Sequence, residues 1–236
     1  MMKNFLRVTS VTAFAAFAVF ASAAQAADIT WATPVNATGN ASDVITAGTL
    51  VAAHNTGPTT TLNGVTFTSG FTGLITLAGV DTITNAYSSP TFSDPAYNAL
   101  VGTGAYSSSG SPFTINITGL TAGGHYEVQL FEPFWNNNWA TAFTGGSSTS
   151  GLVNLSGPNM GAGSSLVPQY VTGTFTADGS SQLITLSSPT SYVLLGAAQV
   201  RAVPEPATWM MMLFGFGIIG FGLRARRKPA VAAAFA

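Results

Sequence analysis

Apolar and hydroxyl-bearing residues alternate one for one along much of the chain between Ala27 and Val203. "FTINITGL" sets Phe113, Ile115 and Ile117 against Thr114, Asn116 and Thr118. A period of two puts successive side chains on opposite faces of a sheet, so the pattern is that of a half-buried strand. "HYEVQLF" repeats it, with Tyr126, Val128 and Leu130 expected inward and His125, Glu127 and Gln129 outward. In "VTFTSGFTGLITL" (65–77), β-branched and aromatic residues broken by glycines read as a pair of strands. "YVTGTFTADGSSQLITL" (170–186) sets two more around Asp178-Gly179, the dipeptide a tight type I′ turn prefers, and "SYVLLGAAQV" (191–200) is a last strand. A single short helix is expected, with Asp94 as cap, Pro95 in first position and Gly102 as the residue that closes it. Tyr97, Leu100 and Val101 then share one face of it. Roughly eight to ten strands, without a fixed-period repeat, predict an all-β fold, a jelly-roll-like β-sandwich.

Charge narrows what such a body does. All seven basic residues are Lys3, Arg7, Arg201, Arg224, Arg226, Arg227 and Lys228. Between Ala27 and Val203 Arg201 stands alone against seven acids, a net of −6. Nucleic-acid partners require lysine and arginine to neutralise phosphates, so this composition argues against them. Cysteine is absent, which removes disulfides and thiolate chemistry. Two histidines, His54 and His125, leave little for a histidine-based metal site. No cofactor is expected; the scattered acids leave a structural Ca²⁺ open, but no D-x-D-x-D loop locates one.

Both ends read as addresses. Lys3 and Arg7 precede the apolar run "VTAFAAFAVFASAA", and Ala24-Gln25-Ala26 supplies the small residues that signal peptidase accepts. Residues 1–26 are therefore a secretory signal peptide, forming an N-terminal helix, with cleavage after Ala26; a retained membrane anchor is the alternative. At the other end, Pro204, Glu205 and Pro206 precede fifteen residues without charge, Trp209 to Leu223, followed by Arg224, Arg226, Arg227 and Lys228. Fifteen helical residues reach about 22 Å, short of the roughly 30 Å hydrocarbon core, so a span there is marginal. The basic cluster would stay on the cytoplasmic side. Gly215, Gly217 and Gly220 make a G-x-G-x-x-G, but no strand precedes it and no acid follows, so it is no dinucleotide site. The expected organisation is a signal at 1–26, a β-sandwich domain at 27–202, a sorting or transmembrane segment at 203–228 and a short tail at 229–236.

Pro-Glu-Pro, a glycine-rich apolar helix and an arginine-rich end together resemble the PEP-CTERM sorting signal of exopolysaccharide-producing bacteria. The same region is sometimes catalogued as an ice-binding-protein C-terminal domain. The resemblance implies an exported protein of the cell envelope or extracellular space, held transiently in the membrane by its C-terminal helix and processed by an exosortase, a sorting protease-like enzyme. The tail departs from the family in the extra "PAVAAAFA" after the basic cluster. The body, through "INITGLTAGGHYEVQLF" and "YVTGTFTADGSSQLITL", is similar to galactose-binding-like jelly rolls of secreted bacterial proteins. That likeness implies fold and not activity.

Within the body the most unusual stretch is "FEPFWNNNWATAF" (131–143). Asn136, Asn137 and Asn138 suit a loop, and Trp135 and Trp139 beside them offer aromatic faces and amide donors of the kind sugar rings require. The bland reading is that the two tryptophans plug the end of the core. Glu127 and Glu132 raise a second possibility, a secreted carbohydrate-active hydrolase, whose two carboxylates must lie ~5–10 Å apart. On one extended strand they would be about 16 Å apart and on opposite faces. The triplets Thr66-Phe67-Thr68, Thr82-Ile83-Thr84 and Thr174-Phe175-Thr176 superficially suggest an ice-binding face, but three dispersed triplets read as strand alternation. The expectation is a non-enzymatic protein that binds glycan or serves as a structural component within exopolysaccharide. If the signal reading holds, N-terminal sequencing of the exported protein will begin at Ala27; a start at Met1 would show a retained anchor.

Overall fold

The computed structural model describes residues 26–85, 92–134, 139–154, 167–189, 192–204 and 206–225. The expected N-terminal signal helix lies outside them. Among the described residues the body is a β-sandwich of two large sheets with a smaller third sheet at one edge. The first sheet runs in the order Thr30–Trp31, Gln169–Thr176, His125–Phe131, Ala197–Ala202, Thr49–Asn55, Val65–Ser69, Thr60–Leu62, with Val35–Asn36 added beside Gln169–Thr176. The second runs Ser148–Thr149, Ala140–Gly145, Ser181–Ser187, Phe113–Thr118, Ile75–Ala78, and Val153–Asn154 also pairs with Ala140–Gly145. Val193–Leu195, Thr103–Ser107 and Thr82–Asn85 form the third. Every pairing is antiparallel except that of Thr49–Asn55 with Val65–Ser69.

The alternation does what its period dictates. Phe113, Ile115 and Ile117 are buried and their polar neighbours are half-exposed. They meet Tyr126, Val128 and Leu130 of the opposite sheet, with Val171, Ile184, Leu186 and Val200, in the main core. The first sheet is covered on its other face too. Phe67, Phe131, Tyr97, Leu100 and Val101 form a second core there, under the helix Pro95–Val101. The Asp94 carboxylate accepts the Ala96 N–H at 2.8 Å, as a cap should. Gly102 stays right-handed at φ −79, so it does not close the helix in the left-handed way glycine permits. The Phe134 N–H instead reaches the Val101 carbonyl at 2.7 Å.

Second-face burial corrects the expectation for Gln129. It points away from the main core, as its place in the alternation requires, yet it is fully buried because the segment Ala37–Gly48 crosses over it. Its Nε2 donates to the Asp43 carbonyl at 2.7 Å, and its Oε1 accepts from Ile45 N at 3.1 Å and Gln199 Nε2 at 2.7 Å. Two residues further along the same strand, Arg201 donates to the carbonyls of Thr46, Ala47 and Gly48 at 2.6–2.8 Å. The one cation of the body is thus a clamp on a crossing segment.

Asp178-Gly179 is not a hairpin turn. The strands on either side belong to different sheets, Gln169–Thr176 pairing with His125–Phe131 and Ser181–Ser187 with Phe113–Thr118. Neither Asp178 nor Gly179 has a positive φ. The cause is that Val171 and Phe175 on one side and Ile184 and Leu186 on the other pack against each other across the core, which a shared sheet would forbid. The two strands of 65–77 likewise separate, Val65–Ser69 into the first sheet and Ile75–Ala78 into the second. The tight hairpin sits elsewhere, at Asn63-Gly64, with φ 49 and 74 and Leu62 facing Val65. Both φ values are those of a type I′ turn.

Two substitutions on neighbouring strands of the second sheet test this placement. Ile115→Ala removes a side chain with no exposure and should cost about 2–5 kcal/mol in denaturant unfolding. Leu183→Ala, where the side chain is 44% exposed, should stay within about 0.5 kcal/mol.

Candidate functional site

At the far end of His125–Phe131 the chain leaves the first sheet and enters the stretch that holds the candidate loop. Glu132 is fully buried; its backbone N–H donates to the Gln169 carbonyl at 3.0 Å. One carboxyl oxygen accepts from the Thr141 hydroxyl at 3.3 Å, and the other has no partner among the described residues. The same hydroxyl accepts the Leu194 N–H at 3.0 Å, so Thr141 ties the loop's return strand to the third sheet. Pro133 lies against Gly104 and Gly196, where any side chain would run into its ring or backbone. Both stems of the loop are therefore held firmly.

Of the candidate ligand-binding residues, Trp135, Asn136, Asn137 and Asn138 lie outside the described residues. Trp139 is described. It is half-buried and stacks on Tyr192 with ring centroids 4.0 Å apart, and Tyr192 meets Tyr106 edge-on at 6.0 Å. With Leu194 these rings make a small cluster apart from both main cores. Trp139 thus belongs to an aromatic edge on the third sheet rather than to a plug of the main core. Tyr106 and Tyr192 were not singled out in the sequence, since Tyr106 lies inside an ordinary strand pattern and Tyr192 just before another.

The structure does not bring Glu127 and Glu132 together. Glu127 lies opposite Arg201 and Thr174 in the ladder, on the outer face near the start of its strand. Burial raises its pKa, and Arg201 acts in the opposite direction. Glu132 sits beyond the other end of the strand, among Thr141 and Leu194, with its pKa pushed well up by complete burial. The two have no shared cleft, and their separation along the strand is about 16 Å. His54 and His125 also stand at opposite ends of the first sheet, beside Ala198 and Thr176 respectively. Among the described residues no three histidine, aspartate or glutamate side chains gather as a metal site would need. The Thr-x-Thr triplets fall on strands that are not neighbours, two in the first sheet and one in the third.

At the near end of the first sheet the body stops abruptly. Ala202 is still in the ladder, the Val203 N–H donates to the His125 carbonyl at 2.9 Å, and Pro204 is exposed. The helix Pro206–Ala225 follows almost at once, with Met211, Phe214, Phe216, Ile218, Ile219 and Phe221 all more than 60% exposed. Arg224 stands in its last turn; Glu205, Arg226 and Arg227 lie outside the described residues. Residues 202–228 match the family model of the PEP-CTERM protein-sorting motif. The chain carries a PEP-CTERM sorting signal. A protein with this motif is exported and sorted by an exosortase, and the motif includes Pro204, Glu205, Pro206, Arg224, Arg226 and Arg227. No curated protein and no solved structure matches the chain. No helix among the described residues is long and apolar enough to cross a membrane. The uncharged stretch of the PEP-CTERM helix, as its length implies, covers only about 22 Å.

The buried Glu132 carboxyl makes a pH test. A raised folded pKa means the folded state holds its proton longer than the unfolded chain does. The stability that follows is fully present below the ordinary glutamate value of 4.5 and is lost as pH rises through the higher folded value. Glu132→Gln, which keeps the shape and cannot ionise, should flatten that decline in urea-unfolding midpoints measured across pH. An unchanged slope would remove Glu132 as its cause.

Proposed function

We propose that this is a non-enzymatic, exosortase-sorted surface or extracellular-matrix protein whose β-sandwich contacts extracellular polysaccharide. In this reading signal peptidase releases residues 1–26. The PEP-CTERM helix then holds the chain transiently at the membrane until the sorting protease acts near Pro204–Pro206. The body, taken as a galactose-binding-like jelly roll over residues 27–202, presents the stretch Trp135–Trp139 to glycan.

The observation that carries the reading is polarity along the first sheet. Val203 leaves the body beside His125, at the start of the strand His125–Phe131, whereas Glu132 and the stem leading to Trp139 follow its other end. Seven residues of strand separate these ends by about 20 Å. A body tethered by its tail therefore turns the Trp139–Tyr192–Tyr106 edge away from the tether. A half-buried indole backed by a stacked tyrosine is a rigid aromatic surface of the kind that sugar CH groups pack on. The separated carboxylates Glu127 and Glu132 favour binding over glycosidic hydrolysis.

Two measurements test this. Mass spectrometry of the exported protein should find residues 209–223 removed; an intact tail in mature protein would make the helix a permanent anchor. On a glycan array the full chain should bind, and Trp135→Ala or Trp139→Ala should weaken that binding by about tenfold or more. Equal binding by the variants would eliminate this loop as the contact.

A further inference from the structure

The tail end of the first sheet holds a cleft of about 760 Å³, distinct from the Trp139 edge. Asp28, Thr30, His125, Thr174, Thr176 and Asp178 line it, and Val203 and Pro204 form one wall. The ladder explains the arrangement. Thr30 lies opposite Thr174, and His125 opposite Thr176, so hydroxyls and imidazole stand in closely spaced rows. The Thr176 hydroxyl and His125 Nδ1 are 3.1 Å apart. Asp28 accepts the Ser147 N–H at 2.6 Å and the Ser147 hydroxyl at 2.9 Å, which hold its carboxyl ionised below the usual range. Asp178, in the bend that joins the two sheets, has no hydrogen-bond partner among the described residues.

Among the described residues, two carboxylates and no lysine or arginine line this cleft. The one arginine of the body is already bonded to the carbonyls of Thr46, Ala47 and Gly48. An anionic ligand would meet repulsion without a counter-charge, and a neutral one would leave Asp178 unmatched. A ring carrying both hydroxyls and an ammonium group satisfies the whole lining: threonine and imidazole partners for the hydroxyls, carboxylates for the charge. The body's net charge of −6 also attracts such a ligand at long range. We propose that this cleft binds amino-sugar residues of a cationic polysaccharide, that is, a glycan whose amino groups are not acetylated. The inference rests on the reading that the body meets polysaccharide, but not on the Trp139 loop.

The test is a matched pair of probes, a glucosamine hexamer and its fully N-acetylated counterpart. Each is titrated calorimetrically into the full chain in mild detergent at mildly acidic pH. The free-amine hexamer should bind, more weakly as salt is raised, and the acetylated one should bind at least about tenfold less well. Asp178→Asn, an exposed bend position, should reduce affinity about tenfold with no change in melting temperature, and Asp178→Lys should abolish binding. Equal binding of the two hexamers, binding of neither, or full affinity in both Asp178 variants overturns the proposal. Loss of binding in Trp139→Ala with retention in Asp178→Asn would overturn it as well, while leaving the Trp139 edge as the glycan contact.

Discussion

The central strand of the first sheet, Ala197–Ala202, is buried on both faces, and the rest of the fold is arranged around that constraint. Ala198 and Val200 pack into the main core, Ala197 into the second, and Gln199 and Arg201 take the polar contacts between the sheet and the crossing segment. A strand buried on both sides cannot carry the large residues that both faces would demand, which accounts for its three alanines among six positions. Arg201 supplies the remaining requirement. Its guanidinium donates to three carbonyls of the exposed stretch Thr46–Gly48 at once and so pins that stretch to the sheet. The surface of the body is left without a basic side chain.

The same strand decides where the molecule's addresses point. It runs from the loop-bearing end of the sheet to the end at which Val203 and Pro204 begin the PEP-CTERM motif. With so little chain between ladder and helix, the tail joins the body at the end where this strand finishes. The acidic cleft lies beside the tether and the aromatic edge lies away from it. Rigid stems at Glu132, Pro133 and Thr141 make that edge a fixed feature of the scaffold.

Much of this was legible in the sequence. Strand interiors at Phe113–Thr118 and His125–Phe131, the helix cap at Asp94 and the sorting motif are written in local patterns, and each stands where its pattern put it. The two turn dipeptides divided. Asn63-Gly64 makes a hairpin because strands of one sheet flank it, and Asp178-Gly179 does not because its flanking strands face each other across the core. Turn chemistry specifies that the chain bends; which sheet receives the next strand depends on apolar faces distant in sequence. Gln129 and Tyr192 were missed for the same reason, since their environments come from residues some 80 and 50 positions away.

By itself the sequence determined the fold class, the scarcity of basic residues in the body and the sorting motif at its end. Each depends on composition or on contacts within a few residues, so none needs the chain to be closed. Only the tertiary structure decided that Glu132 is fully buried against Thr141, that Trp139 stacks on Tyr192, and that Asp28 and Asp178 share a cleft beside Pro204. Those relations join strands far apart in the chain, and they are set by how two sheets pack rather than by any local preference.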